Sequence, residues 1–297
     1  MDFLCIGHAC HDRLGERNIL GGTASYSSLV AKQLGLKTGI LTSVGGDFGF
    51  FDFFEKNSIQ VWNKPAERTT VFENIYRNND VMTPDAMTND DNDKNRQRIQ
   101  YLHARAETLF ADDVPAECLA ANIVLFCPIA DEVDFSVFRK FPHALKGATI
   151  QGWLRQWDDD GRVFPKKIDW PQLAAADVVI MSDADIQGFE AETPEIASFV
   201  KVLVMTRGAH GATVFFENQQ FHFPAFPVEE VDATGAGDVF ATAFLLKYAE
   251  TRDIYHATGF AHAAASFVVE GIGITNLARI EQINTRFDQY QNMFAAL

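Results

Sequence analysis

The stretch VDATGAGDVFATAFL, residues 231–245, places three small residues between two acids, directly before an apolar, helix-forming run. The small residues are Gly235, Ala236 and Gly237, and the acid that follows them is Asp238. The first turn of a helix presents unpaired backbone N–H groups and a partial positive charge. Because this turn carries no bulky side chain, an anion can approach its amides closely.

Asp238 is a candidate for a role in catalysis. A carboxylate in the first helical turn lies beside any anion bound there, which is electrostatically unfavourable unless the carboxylate has a task. The fitting task is to take a proton from a hydroxyl group that attacks phosphorus. The other interpretation is that the glycines only shape a strand-to-helix turn and Asp238 caps the helix; this stretch alone does not decide between them.

Composition restricts the class of protein. The chain has 297 residues, of which 47% are hydrophobic and 22% charged, as expected for a soluble protein, and we expect one domain over 1–297. The net charge of −15 argues against nucleic acid as a partner. The N-terminus lacks the basic region of a signal peptide, and no apolar run approaches the ~18 residues of a membrane span. The four cysteines form no CxxC pair. We therefore expect a cytoplasmic protein with no membrane partner.

Strand-like and helix-like segments alternate along the chain, which predicts a mainly parallel sheet covered on both faces. The predicted strands are 3–7, 37–46, 59–63, 69–77, 121–127, 147–152, 177–182, 201–208 and 211–216, and the clearest helices are 22–34, 236–249, 254–269 and 277–294. The strands at 59–77, with 96–102, are expected to form a small flap. The polar stretch 78–98 fits either a mobile lid or plain disorder.

The stretch DATGAGDVFATAFL resembles the signature of the ribokinase-like (PfkB) carbohydrate kinase family. Further matches follow in the order that the family shows: Gly7 to Asp12, Gly21–Gly22 with Gly35, Val44 to Gly49, Thr206–Arg207–Gly208 with Gly211, and Ala261 to Gly273. The resemblance implies an α/β/α three-layer sandwich with a mainly parallel sheet and a small or reduced β-lid. It also implies phosphorylation of a hydroxyl group on a sugar or polyol, with ATP and Mg2+ as cofactors.

The resemblance also assigns expected roles to single residues. Asp238 would be the catalytic base, and the amides of residues 235–237 would form the anion hole for the transferred phosphoryl group. Asp12 would hydrogen-bond two substrate hydroxyls, beside the substrate motif of Gly21 and Gly22. The residues expected along the nucleotide are Ser182, Asp185, Thr206, Arg207, Gly208, Gly211 and His262.

Departures from the family pattern affect the lid and the metal site. Ala233 stands where the signature usually has Thr or Pro. The short segment between Asp12 and Gly21 leaves the lid to come mostly from 59–102, so dimerisation through the lid is doubtful, and the chain is expected as a monomer or a homodimer. The N-x-x-E motif falls on Ser182 to Asp185, which keeps the spacing and an acid. We expect Asp185 to serve the metal through water; the other interpretation is a solvated acidic turn.

Aromatic residues point to the substrate. Tyr26 stands where many sugar kinases of the family have Asn, and the segment from Gln151 to Arg155 is similar to the inositol-kinase-like branch. Gln151 and Arg155 are predicted contacts to hydroxyl or phosphate groups, although Arg155 could instead pair with Asp158 or Asp159 at the surface. Tyr26 and Trp153 would offer ring faces to a cyclic polyol or a pyranose, or to a nucleoside base. No basic cluster adjoins these motifs, which disfavours an acceptor that already carries a phosphate.

The competing functions stay open at this point. A sugar or polyol kinase is favoured, and a nucleoside kinase of the same family is the first alternative. A non-catalytic sugar-binding or regulatory protein is the second alternative, and it is disfavoured because a pure binder needs no base beside an anion site. The three histidines near the motifs lack the spacing of a zinc pair, so no structural metal is expected; these are His8, His11 and His262.

Overall fold

The computed structural model describes residues 1–78, 81–83, 97–271 and 276–294. Most of the polar stretch 78–98 and the end of the Ala261–Gly273 match therefore lie outside the described residues. The central sheet has nine strands, which are β1 (Phe3–Ile6), β4 (Thr38–Gly45), β5 (Gln60–Ala66), β9 (Ile123–Phe126), β10 (Leu145–Thr149), β13 (Val178–Ser182), β14 (Val202–Thr206), β15 (Ala212–Phe216) and β16 (Gln219–Phe223). Their order across the sheet is β16-β15-β14-β13-β10-β9-β1-β4-β5. Only β15 runs in the opposite direction, antiparallel to both β14 and β16, and every other neighbouring pair is parallel.

Helices and turns cover both faces of this sheet. The helices are α1 (Thr23–Gln33), α2 (Phe51–Lys56), α3 (Thr193–Phe199), α4 (Ala236–Thr251), α5 (Ile254–Val269) and α6 (Ile280–Phe294). One face packs against α1, α4, α5 and α6, whereas the other packs against α3 and short 3-10 segments such as 135–140 and 170–175. The expected three-layer α/β/α arrangement is confirmed.

Strand β1 shows why the sequence forms this core. Phe3 and Cys5 lie in the core under α1 and α4, while Leu4 and Ile6 lie in the core on the opposite face. Successive side chains of a strand point to opposite faces, so a strand covered on both faces needs apolar residues at every position. All four residues are fully buried.

The position of β1 also marks where a ligand crevice is expected in this sheet. β1 pairs in parallel with β4 on one side and with β9 on the other, so the order of the strands along the chain reverses beside it. Ligands of open parallel sheets bind beyond the carboxyl ends of the strands at such a reversal. The segment from Gly7 to Asp12 leaves β1 at this point.

A second sheet of five strands forms the lid. Its strands are β2 (Cys10–Leu14), β3 (Arg17–Gly21), β6 (Val71–Asn78), β7 (Val81–Thr83) and β8 (Gln97–Ala104). Three of them come from the predicted region 59–102, but the hairpin of β2 and β3 was not predicted. The hairpin closes through a two-residue turn at Gly15 and Glu16, between the paired Leu14 and Arg17.

The prediction for residues 59–63 was wrong in one respect. These residues lie in β5, which pairs in parallel with β4 at the edge of the central sheet and not in the lid. The alternation of apolar and polar residues marks a half-exposed strand, and an edge strand of either sheet satisfies that pattern. Within the described ranges, no helix is long and apolar enough to cross a membrane.

Candidate active site

The N-terminus of α4 carries the Gly-Ala-Gly turn. Gly235 precedes the helix as its N-cap and has φ 83° and ψ −7°, a left-handed conformation that side chains disfavour. The Ala236 amide donates to the Ala233 carbonyl at 3.1 Å. A Cβ atom placed on Gly237 would have no heavy atom within 4 Å, so the space in front of this turn is open. An anion has room to approach the first helical amides.

Asp238 follows in the first turn of α4 and is half-buried. Its removal from water raises the pKa of the carboxyl group to about 7, with the charges of Asp12 and Asp185 acting in the same direction. A hydrogen bond from Thr23 and the charge of Arg155 act against this rise. A carboxylate with a pKa near neutrality is suited to accept a proton in a reaction at physiological pH.

Asp12 lies on β2 with its carboxylate against the backbone of Gly21. A Cβ atom on Gly21 would lie 2.2 Å from Oδ2 of Asp12, so any residue other than glycine at this position would displace the carboxylate. The Cys10 thiol lies 3.9 Å from Oδ1 of Asp12. Gly21 is followed by Gly22, the N-cap of α1, so the substrate motif and the Asp12 carboxylate share one corner of the crevice.

Tyr26 lies in the same corner, one turn into α1. Its hydroxyl donates to the Leu20 carbonyl at 3.2 Å, and the side chain is half-buried. Burial, together with the nearby charges of Asp12 and Asp238, raises the pKa of the phenol. Tyr26 therefore stays neutral and lies close to both carboxylates.

Asp185 is held by two hydrogen bonds at the end of β13. Its Oδ2 accepts a hydrogen bond from the Ser182 amide at 2.8 Å, and its Oδ1 accepts one from Nε2 of Gln151 at 2.8 Å. The Asp185 amide lies 3.2 Å from Oγ of Ser182, which closes a reciprocal pair. Gln151, predicted as a substrate contact, thus fixes a residue predicted to serve the metal.

Arg155 begins β11 (Arg155–Trp157), which pairs with β12 (Val163–Pro165). One guanidinium nitrogen of Arg155 donates to the Ile129 carbonyl at 2.8 Å, and the group lies 5.3 Å from the centre of the Phe72 ring. Arg155 therefore points between the central sheet and the lid. Its charge also acts to lower the pKa of Asp238.

Trp153 does not reach the crevice, and the prediction that it offers a face to the substrate was wrong. It is 1% exposed, stacks on Phe135 at a centroid distance of 4.4 Å, and donates its Nε1 proton to the Val133 carbonyl at 2.7 Å. The chain turns tightly at Gln151–Leu154, which directs Trp153 into the core while Arg155 points to the crevice.

The predicted nucleotide residues lie along the neighbouring strand end. Ser182 pairs with Thr206 across β13 and β14, and the Asp183 amide donates to the Thr206 carbonyl at 3.1 Å. The Arg207 amide donates to the Gly211 carbonyl at 2.7 Å and closes the turn that contains Gly208. This turn is therefore adjacent to Asp185, at the carboxyl edge of the sheet.

His262 lies apart from this edge, inside the helical layer. It is 7% exposed, packs between the rings of Phe240 and Tyr290, and burial lowers the pKa of its imidazole to about 3. Its Nε2 has no hydrogen-bond partner among the described residues. Its predicted approach to the adenine stays a prediction.

The residues described here include no group of three or more His, Cys, Asp or Glu side chains placed to hold a metal ion. His8 contacts Thr70 Oγ1 with one ring nitrogen, at 2.7 Å, and the Glu107 carbonyl with the other, at 2.9 Å. Both contacts join the end of β1 to the base of the lid, so this histidine has a structural role.

The sequence analysis assigned no role to Thr23, to Arg162 or to Asp47 of the Val44–Gly49 match. Asp47 accepts the Thr69 amide at 2.9 Å and its hydroxyl at 2.7 Å, which ties the end of β4 to the base of the lid. Arg162 lines the same cavity as Arg155 and Gln151. The expectation that no basic cluster adjoins the motifs was therefore wrong: the β11–β12 hairpin brings together two arginines that stand seven positions apart.

Comparison with known proteins agrees with this geometry. Residues 172–280 match the family model described as pfkB family carbohydrate kinase. A nucleoside kinase of Methanothermobacter thermautotrophicus is 26% identical, over 96% of this chain and 95% of its own length. The ribokinase of Bacillus subtilis is 41% identical over 78 residues, which cover 26% of this chain and 27% of the ribokinase.

Solved structures show the same fold. The nucleoside kinase of Methanocaldococcus jannaschii superposes with a TM-score of 0.72 at 19% identity, over 97% of this chain and 99% of the other. A pyrophosphate-dependent myo-inositol-1 kinase, converted by mutation into a myo-inositol-3 kinase, superposes with a TM-score of 0.73 at 22% identity, with the same two coverages.

The fold is that of the ribokinase-like structures, and the glycine-flanked acid at the start of α4 lies where the sequence motif predicts it. The chain is similar to the pfkB carbohydrate kinases, whose family model matches residues 172–280. The similar proteins include nucleoside kinases, ribokinases and a myo-inositol kinase. One ribokinase structure contains ribose and ATP, and another similar kinase is pyrophosphate-dependent.

Proposed function

We propose that this protein transfers the terminal phosphoryl group of ATP to a hydroxyl group of a sugar or cyclic polyol, with Asp238 as the general base. The observation that carries the proposal is the position of Asp238 in the first turn of α4, directly after an open Gly-Ala-Gly turn. The charge of Asp12 contributes to the raised pKa of Asp238. The helix terminus offers N–H groups to the charge that develops on the transferring phosphoryl group.

The residues present fit a nucleotide with Mg2+. The open space at Gly237 leaves room for phosphate oxygens, and Asp185 is fixed beside the Thr206–Gly211 turn. Both Asp185 oxygens already accept hydrogen bonds, so the carboxylate suits contact with metal-bound water more than direct ligation. When bound, ATP supplies the phosphoryl group and Mg2+ offsets its charge.

The protein's own residues would then act as follows. Asp12 accepts hydrogen bonds from two neighbouring substrate hydroxyls and sets the orientation of the ring. Asp238 takes the proton of the attacking hydroxyl, for which its pKa of about 7 is suited. The hydrogen bond from Thr23 fixes the Asp238 carboxylate and favours its charged form.

Tyr26 bears on the identity of the acceptor. It presents an aromatic side chain close to Asp12, where a ring C–H surface can lie. An acceptor with a vicinal diol on a compact ring satisfies both residues. We therefore place myo-inositol or a similar ring polyol ahead of ribose and fructose.

A nucleoside kinase is the second candidate, and the observation in its favour is sequence similarity over the whole chain. Two relatives matched over at least 95% of their length are nucleoside kinases, at 26% and 22% identity. With Trp153 buried in the core, Tyr26 is left as the predicted ring against a base.

The test measures nucleotide consumption and product formation over a panel of polyols, free sugars and nucleosides, with Asp238→Asn as the blank. We expect ring polyols or sugars to give the highest kcat/KM. If a nucleoside exceeds all of them by tenfold, about 1.4 kcal/mol of transition-state preference, the nucleoside kinase takes the place of the polyol kinase. A wild-type protein that transfers phosphate to no acceptor would support the non-catalytic binder.

A further inference from the structure

A cavity of about 220 Å³ opens between the β11–β12 hairpin, the lid strand β8 and the end of β13. Its polar lining consists of Arg155, Arg162, Gln100, Gln151 and Asp185, and we call it the arginine pocket. Its volume is several times the ~30 Å³ that one water molecule takes up in the liquid. The pocket therefore has room for a polyatomic anion.

Arg162 carries a charge that the described part of the chain does not neutralise. Its side chain is exposed, and the contact of its guanidinium group is with the Phe164 ring, 5.3 Å from the centre. Three acids precede Arg162 in the sequence, Asp158, Asp159 and Asp160, and none of them forms an ion pair with it among the described residues. Asp158 instead accepts hydrogen bonds from two backbone amides of its own turn, those of Asp160 at 3.1 Å and Arg162 at 2.8 Å. The ring holds the guanidinium group in place while its N–H donors stay available to a ligand.

The wall that bears Arg162 is fixed to the lid. The Leu102 amide of β8 donates to the Gly161 carbonyl at 2.7 Å, and Tyr101 pairs with Arg162 in an antiparallel bridge. On the opposite side, Arg155 is anchored on the Ile129 carbonyl. The two arginines are thus held by separate parts of the fold, and both line the same pocket.

Asp185 lines the inner end of the pocket and opposes an anion there. Its charge is tied to the Ser182 amide and the Gln151 side chain, which hold it at the strand end. The lining therefore carries a negative charge at the half-buried Asp185 and a positive charge at the exposed Arg162. An anion is favoured at the arginine end.

We infer that the arginine pocket binds a phosphoryl group beside the acceptor site. A guanidinium group matches phosphate oxygens with paired N–H donors, which makes arginine the usual residue for this task. The phosphate is either one that the acceptor already carries or the terminal phosphate of the donor. The inference extends the proposed function, because it adds a charged subsite to the same crevice.

The test compares Arg162→Gln with Arg252→Gln. Arg252 is the matched control, since it is exposed and lies 5.7 Å from the centre of the Tyr248 ring at the far end of α4. Isothermal titration with inorganic phosphate measures binding without any reaction. We expect Arg162→Gln to weaken phosphate binding roughly 10- to 100-fold, the usual effect of removing a charged hydrogen-bond donor. Arg252→Gln should bind as the wild type does.

Kinetics then separate the two sources of phosphate. Each variant is assayed with free and monophosphorylated acceptors, such as ribose and ribose 1-phosphate, and with ATP and pyrophosphate as donors. A KM that rises only for phosphorylated acceptors assigns the pocket to the acceptor, and a KM that rises for the donors assigns it to the donor.

Phosphate binding by Arg162→Gln that equals the wild type, or an equal loss in both variants, would overturn the inference. Phosphate held at the N-terminus of α4 responds to neither substitution. Failure of the proposed function has a different signature, which is a wild-type protein that binds phosphate through Arg162 but transfers it to no acceptor.

Discussion

Replacing Asp238 by Asn separates the energetic cost of burying this carboxylate from its use in the reaction. The pKa of Asp238 is raised from 3.8 to about 7 in the folded protein. The folded state therefore binds a proton more tightly than the unfolded state, and the wild-type protein loses stability as pH rises from about 4 to about 7. The loss is complete above the folded pKa.

The size of the effect follows from the shift. A rise of about three pKa units corresponds to about 4 kcal/mol at 1.36 kcal/mol per unit, and this is an upper limit. Asn carries no charge to bury and keeps an oxygen that accepts the Thr23 hydrogen bond. Asp238→Asn should thus raise the free energy of unfolding at pH 8, with a gain roughly 2 kcal/mol larger than at about pH 5.5.

The assay is urea denaturation of both proteins at the two pH values, followed by circular dichroism. Asp134→Asn is a suitable control, because Asp134 caps the 3-10 segment 135–140 by accepting a hydrogen bond from the Ser136 amide and Asn caps helices equally well. A gain for Asp238→Asn that is equal at both pH values, or a loss at pH 8, would refute the claim that Asp238 is a carboxylate with a raised pKa.

Three further predictions concern the reaction. The value of kcat/KM should rise with pH and level off above an apparent pKa of about 7, because Asp238 must be ionised to accept a proton; a profile flat from about pH 5 to 8 contradicts this. Gly235→Val should abolish activity in a protein that circular dichroism shows to be folded, since φ 83° disfavours a branched residue and distorts the first amides of α4; normal activity would remove the anion site from this turn. Gly21→Ala should raise the KM for the acceptor roughly tenfold or more and leave the KM for ATP unchanged, because its methyl group displaces the Asp12 carboxylate. Gly46→Ala is its control, as a Cβ atom there meets nothing within 4 Å, and equal effects of the two changes would refute the role of Asp12.

The central sheet was predictable because its strands can be recognised from their local sequence alone. Ile123–Phe126, Val178–Ser182 and Val202–Thr206 are continuous apolar runs, which buried parallel strands require on both faces. The three helices at the end of the chain were predicted in the same way, within three residues at each boundary. Local pattern was sufficient for these elements.

The lid was less predictable because pairing partners lie far apart in the sequence. β2 is a polar strand of five residues that pairs with β3 and, in parallel, with β6 about sixty residues later. No local pattern shows such a partner, so the Cys10–Gly21 hairpin was missed and β5 was placed in the wrong sheet. The membership of an edge strand depends on the tertiary fold.

The candidate site divides in the same way. Asp12, Gly21 and Asp238 were predicted from short motifs whose spacing fixes their local geometry. The hydrogen bond between Gln151 and Asp185 and the shared pocket of Arg155 and Arg162 depend on how separate turns meet in space. Trp153 likewise points into the core because the chain turns tightly at 151–154, and the local sequence does not show this turn.

The most direct test of the account is the rate of phosphoryl transfer by Asp238→Asn under single-turnover conditions, with the affinity for ATP measured in parallel. We expect the transfer rate to fall roughly 10²- to 10⁴-fold, as for the loss of a general base. The dissociation constant of ATP should stay close to that of the wild type. A folded Asp238→Asn protein that transfers phosphate at nearly the wild-type rate would contradict the assignment of Asp238 as the base.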